Sequence, residues 1–112
     1  MNINMKNFQI RPVNKEDRSW VASLLEEHWG STKIVTRGRI YNADKLPGFI
    51  AIQADEPVGL VTYRIDGNDC EIISMNSLVE RAGIGAALID AVKKVAIKAN
   101  CTRVWLITTN DN

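Results

Sequence analysis

The chain has 112 residues, 46% hydrophobic and 24% charged, with a formal net charge of +1. That composition excludes a disordered or fibrous chain and fits one globular domain over residues 1–112. The near-balanced charge leaves no electrostatic footprint for nucleic acid or an anionic membrane.

The opening MNINMKNFQI lacks the apolar core of a signal peptide, and no run approaches the roughly 18 apolar residues of a membrane helix, so a cytoplasmic protein is expected. Cys70 and Cys101 have neither metal-ligand spacing nor the density of a secreted scaffold, which predicts two reduced thiols. With His28 the single histidine, no metal site is expected.

Phe8 and Ile10 alternate with polar neighbours up to Pro12, which predicts a short strand. A helix follows from an Asn14 N-cap, with Glu16 and Asp17 in its first turn and Trp20, Val21, Leu24, Leu25 and His28 at helical spacing until Gly30. Ser31 to Gly48 shows no clean period and is expected to be an irregular excursion. FIAIQAD and VGLVTYRI then form a hairpin about a Glu56-Pro57 turn, and Asp66-Gly67-Asn68-Asp69 turns the chain into CEIISMNSLV, completing a three-strand meander. From Gly83 the period becomes helical, with Ile84, Leu88, Val92 and Val95 on one face and Lys93, Lys94 and Lys98 on a solvated one, ending near Asn100. RVWLITTN is a last strand, and a right-handed crossover places it parallel to its neighbour. The fold class predicted is a mixed α/β (α+β) layer.

The stretch ERAGIGAAL, Glu80 to Leu88, places Gly83 and Gly85 at the start of the long helix. Two readings are open: the glycines let the helix approach the sheet closely, or they leave backbone amides bare for a phosphate at the positive end of the helix dipole. The P-loop pattern is absent, and the dinucleotide fingerprint fails because Leu88 stands where its third glycine belongs. Glu71, early on a predicted strand, is the candidate general base, and strand alternation sets it on one face with Ile73 and Met75. A solvated position beside the turn is the competing reading for Glu71. Arg37 and Arg39 would reach a phosphate or an acidic acceptor, although a surface loop is the simpler account of both.

On Glu80, Gly83 and Gly85, and on the wider run from CEIISMNSLV to LITTNDN, the chain resembles the GNAT superfamily of N-acetyltransferases, whose cofactor motif is Q/R-x-x-G-x-G/A between a strand and a helix. Glu80 departs from it by placing an acid where the family carries glutamine or arginine. The resemblance implies acetyl-CoA as cofactor and transfer of the acetyl group to a primary amine of unidentified acceptor by direct attack. It implies that the amides of Arg81, Ala82, Gly83, Ile84, Gly85 and Ala86 hold the pyrophosphate of coenzyme A. The strand end at Ser77, Leu78 and Val79 would then pair with the pantetheine arm. Asn112 falls at the start of a helix whose asparagine touches the cofactor in the family, and the chain stops there, before the last two strands. A shortened GNAT fold, truncated after the fifth strand, is therefore expected, with an apolar edge strand that favours a homodimer or higher oligomer. The alternatives are a non-catalytic acyl-CoA-binding module and, less favoured, a dinucleotide-binding module.

Overall fold

The computed structural model describes residues 8–36, 38–79 and 83–106. Phe8 leads into β1 (Gln9–Pro12), a 3-10 turn over Lys15–Asp17 runs into α1 (Arg18–Trp29), and Gly30 ends that helix in the left-handed conformation. Then follow β2 (Lys33–Thr36), β3 (Arg39–Asn42), β4 (Gly48–Gln53), β5 (Glu56–Asp66), β6 (Asp69–Ser77), α2 (Ile84–Lys98) and β7 (Arg103–Leu106). Five strands form a mixed sheet in the order β1-β4-β5-β6-β7, with α2 carrying the chain across from β6 to the parallel β7.

Each face of this sheet has its own helix. Val21, Leu24 and Leu25 of α1 pack with Ile50, Leu60 and Ile73, while Ile84, Leu88, Val92 and Ala96 of α2 pack with Ala51, Val61, Tyr63, Cys70 and Ile72. Both helices bury the apolar stripe that their period defines. Asn100, with φ of 63°, ends α2 in the left-handed region. Among the described residues no helix is long and apolar enough to cross a membrane.

Three local expectations are corrected. Ser31 to Gly48 is not irregular: β2 and β3 pair antiparallel, Ile34 opposite Tyr41 and Val35 opposite Ile40. Ile34 is buried in the α1 core while Val35 and Ile40 face solvent, an alternation confined to four residues per strand and too short to stand out in the sequence. The β4–β5 turn is Ala54-Asp55, both at positive φ, so Glu56 and Pro57 already belong to β5. Pro57 is tolerated there because the register shifts beside it, Ala51 pairing with Gly59 and Ile52 with Pro57.

The third correction concerns β6, where Thr62 pairs with Ser74 but Tyr63 pairs with Ile72, leaving Ile73 as an extra residue. This bulge breaks the period of two. Ile73 packs with α1 and Met75 with the α2 core, so Glu71 and Met75 lie on opposite faces of the sheet.

Close approach of α2 to the sheet depends on Gly59. A Cβ there would stand 2.7 Å from Ile84 Cγ2 and 3.1 Å from Leu88 Cδ1. At the other end of the sheet, Arg11 of β1 holds Asp17 at 2.8 Å, and the Asn14 amide donates to the same carboxylate at 2.7 Å. These bonds, the Arg11 hydrogen bond first, hold the Asp17 carboxyl below the usual carboxylate range.

Two outcomes follow. Gly59→Ala is expected to lower stability by about 1–3 kcal/mol through overpacking against α2, read as a lower urea midpoint. Asp17 binds fewer protons folded than unfolded, so its contribution is complete above the ordinary carboxylate pKa of about 3.9 and is lost as pH falls through its depressed value. An Asp17→Asn chain should therefore show a shallower fall of stability as pH drops from about 3.9 toward that depressed value, measured by denaturation at successive pH.

Candidate active site

Glu71 is buried on the α1 face of β6, directly across from Arg64 of β5. Its Oε1 accepts a 2.9 Å bond from Arg64 Nη1. Tyr41 of β3 places its hydroxyl 3.5 Å from the same oxygen, longer than a strong O–H···O bond. Arg64 also lies 5.4 Å from the centre of the Tyr41 ring and 3.3 Å from Asp66. The Glu71 hydrogen bond, chiefly, raises the Arg64 pKa above its ordinary value. Together Arg39, Tyr41, Arg64, Asp66, Asp69 and Glu71 line a cavity of about 240 Å³. Arg103 bonds Asp69 at 3.2 Å from β7.

The Glu71 carboxylate is buried, paired and at a cavity rather than solvated beside the turn. Tyr41 and Arg64 were not legible as partners from composition, yet the turn at Asp66-Gly67-Asn68-Asp69 contains the signal for one of them. Counting outward from it pairs Asp66 with Asp69 and then Arg64 with Glu71.

The opposite face of the same strand carries the glycine helix. Gly83 caps α2 with φ of 76°, a conformation that suits glycine, and a Cβ on it would meet nothing within 4 Å. A Cβ on Gly85 would make only ordinary contact, 3.6 Å from Met75 Cε. Packing therefore requires glycine at neither position, and the close approach is made by Gly59 instead. The first intrahelical bond is Ala87 N to Gly83 O at 3.0 Å. The amides of Ile84, Gly85 and Ala86 thus precede the bonded ladder, at the positive end of a helix of 15 residues. Among the described residues no side chain caps or crowds this helix start, a geometry that suits an anion.

Ile84 turns its side chain fully into the α2 core, so it offers a backbone amide alone, while Ala86 is exposed. At the end of β6, the Leu78 amide is bonded to Val58 O at 2.8 Å and the Ser77 hydroxyl donates to Val79 O at 3.0 Å. Glu80, Arg81, Ala82 and Asn112 lie outside the described residues, as do residues 107–109 of the run on which the edge-strand expectation rests. Cys70 and Cys101 are free thiols, and burial, followed by the neighbouring Cys101 and Glu71, pushes Cys70 up to about 11. A thiol held protonated in this way is a poor nucleophile at neutral pH.

A mixed sheet with a bulged strand thus carries a glycine-opened helix on one face and a buried carboxylate on the other. Residues 10–112 match the acetyltransferase (GNAT) family, and the chain belongs to it. YdhI of Bacillus subtilis (strain 168), an uncharacterized protein, is 42% identical over 104 residues, covering 92% of this chain and 65% of its own length. The chain thus spans about two thirds of that relative. Among solved structures, a ribosomal-protein-alanine N-acetyltransferase from Brucella melitensis biovar Abortus 2308 superposes with a TM-score of 0.68 at 18% identity, over 91% of this chain and 79% of that one. AAC(6')-Iy, solved with the bisubstrate analog CoA-S-monomethyl-acetylneamine, gives a TM-score of 0.68 at 17% identity, over 94% of this chain and 82% of its own. These two likenesses are of fold.

Arg64→Met would leave the Glu71 carboxylate without its guanidinium. A loss of about 1–3 kcal/mol is expected, less than for a fully buried pair because the Arg64 side chain keeps 23% exposure. Equilibrium unfolding should show most of that loss recovered in the double change Arg64→Met with Glu71→Gln.

Proposed function

We propose that the chain binds acetyl-CoA at the start of α2 and transfers the acetyl group to a primary amine by direct attack, with Glu71 as the base. One observation supports this above the rest: β6 presents Glu71 to a cavity on one face and Met75 to the glycine helix on the other, within five residues.

The amides of Ile84, Gly85 and Ala86 would hold the pyrophosphate, with Gly83 shaping the turn and Arg81 and Ala82 extending the cradle. Backbone amides and the helix dipole favour that charge without a side chain. Ser77, Leu78 and Val79 would line the pantetheine arm. Because the Leu78 amide already bonds β5, strand alternation directs the Ser77 peptide group toward the other side, where the arm would run. Asn112 would add a polar contact.

Coenzyme A supplies the acetyl group as a thioester whose thiol, with a pKa of about 8.5, is a tolerable leaving group. The acceptor arrives chiefly as an ammonium of pKa about 10.4, so a proton must leave before attack. Glu71 takes it, directly or through one water, while Arg64 fixes the carboxylate. Tyr41, at its long 3.5 Å distance, is placed to turn its hydroxyl toward an incoming amine.

A second reading, an acyl-CoA-binding module without transfer, is favoured by the same Arg64 bond, which occupies a Glu71 oxygen. Release of coenzyme A thiol on addition of an amine panel decides between them. Under the transfer reading, Glu71→Gln lowers kcat by about 10²–10⁴-fold while acetyl-CoA binding is retained. Ala86→Glu should weaken acetyl-CoA binding by charge repulsion yet raise the unfolding midpoint, since an acid in the first helical turn contributes about 0.3–1 kcal/mol. Movement of both quantities in the same direction would contradict the placement of the pyrophosphate.

A further inference from the structure

The acceptor cavity carries a charge pattern that selects among amines. Of its arginines, Arg64 is engaged by Glu71 and Asp66. Asp69 is engaged by Arg103, which approaches from β7. Arg39 lines the same cavity and has no ion partner among the described residues. Its place there follows from strand geometry. Arg39 and Tyr41 are two residues apart on β3, so they share the face on which Tyr41 meets Glu71, while Ile40 faces solvent.

With Arg103, which bonds Asp69 from beside the cavity, three arginines stand against three carboxylates among the described residues. That balance gives no excess of negative charge to gather a polycation, and the carboxylates form no metal-holding group among the described residues. A plain alkylamine would leave Arg39 unanswered. We infer that the acceptor is an amine that also carries an anionic group, a carboxylate in the simplest case, with the amine toward Glu71 and the anion on Arg39. A guanidinium is suited to this, since it can hold a carboxylate through two parallel bonds.

The inference rests on reading this cavity as the acceptor side, and its test separates the two. The isotope-labelled full chain is titrated, without coenzyme A, with glycine, 3-aminopropanoate and 4-aminobutanoate, with plain amines of matched length, and with 1,4-diaminobutane. Amide shifts give the dissociation constants. The best amino acid should bind about tenfold more tightly than its matched amine at low salt. High salt should shrink that ratio because Arg39 is exposed. Arg39→Gln should bring the ratio to about one by weakening the amino acid without weakening the plain amine, and Arg39→Lys should restore part of it. Equal binding of amino acid and amine, tightest binding of the diamine, a ratio that survives Arg39→Gln, or no amino acid binding at all would each overturn the inference. A parallel thiol-release assay reads the transfer reaction. Acetylation of plain amines without preference for amino acids would uphold transfer and overturn this inference. Arg39-dependent binding with no thiol release would do the reverse.

Discussion

One extra residue in β6 organises both halves of this molecule. Without it, the period of two would carry Glu71, Ile73 and Met75 down a single face. With Ile73 left over between the Ile72 and Ser74 pairings, the strand changes sides midway. Before the bulge the odd-numbered residues, Glu71 and Ile73, face α1, and after it Met75 faces α2. The hydroxyls of Thr62 and Ser74 close the reversal with a buried 2.6 Å bond, which satisfies polar groups that would otherwise be costly beneath α1. A central strand that serves two faces would let one rigid element relate the proposed proton acceptor to the proposed phosphate-binding helix, more exactly in position than two loops could.

The packing around that strand follows from the same constraint. The α2 helix must lie close enough for its first turn to stand beside Met75, and Gly59 makes the room by lacking a Cβ under Ile84 and Leu88. Gly48 plays a similar part where its Cβ would strike the carbonyl of Val61 in the neighbouring strand. The glycines at the helix start have different work. Gly83 shapes the cap and Gly85 leaves a space that the core does not need, whereas Gly59 and Gly48 answer to packing.

Much of the fold was legible before any coordinates. Both helices follow from the spacing of Val21, Leu24 and Leu25 and of Ile84, Leu88 and Val92, because a buried helical stripe repeats over several turns and each turn reinforces the last. The β2–β3 hairpin was hidden, since Ile34 and Tyr41 give one inward pair and no further repeat. The β6 bulge was hidden for a deeper reason: a register shift is a property of two strands, and period-two extrapolation along one cannot contain it. In the site, the glycine helix and Glu71 stood out by residue type and position. Arg64 was recoverable by counting from the Gly67 turn, but Tyr41 and Arg39 depend on where a hairpin folds back over the sheet, a contact across about 30 residues of chain for Tyr41 and Glu71.

The central claim is that the two faces divide the labour, coenzyme A against the start of α2 and the acceptor against Glu71. An amide-resolved NMR titration of the full chain with coenzyme A reads both faces at once. The account predicts shifts at Ile84, Gly85 and Ala86 and along Met75 to Ser77, with Arg39 and Tyr41 unmoved. Shifts centred on Arg39 and Tyr41, with the start of α2 silent, would contradict it.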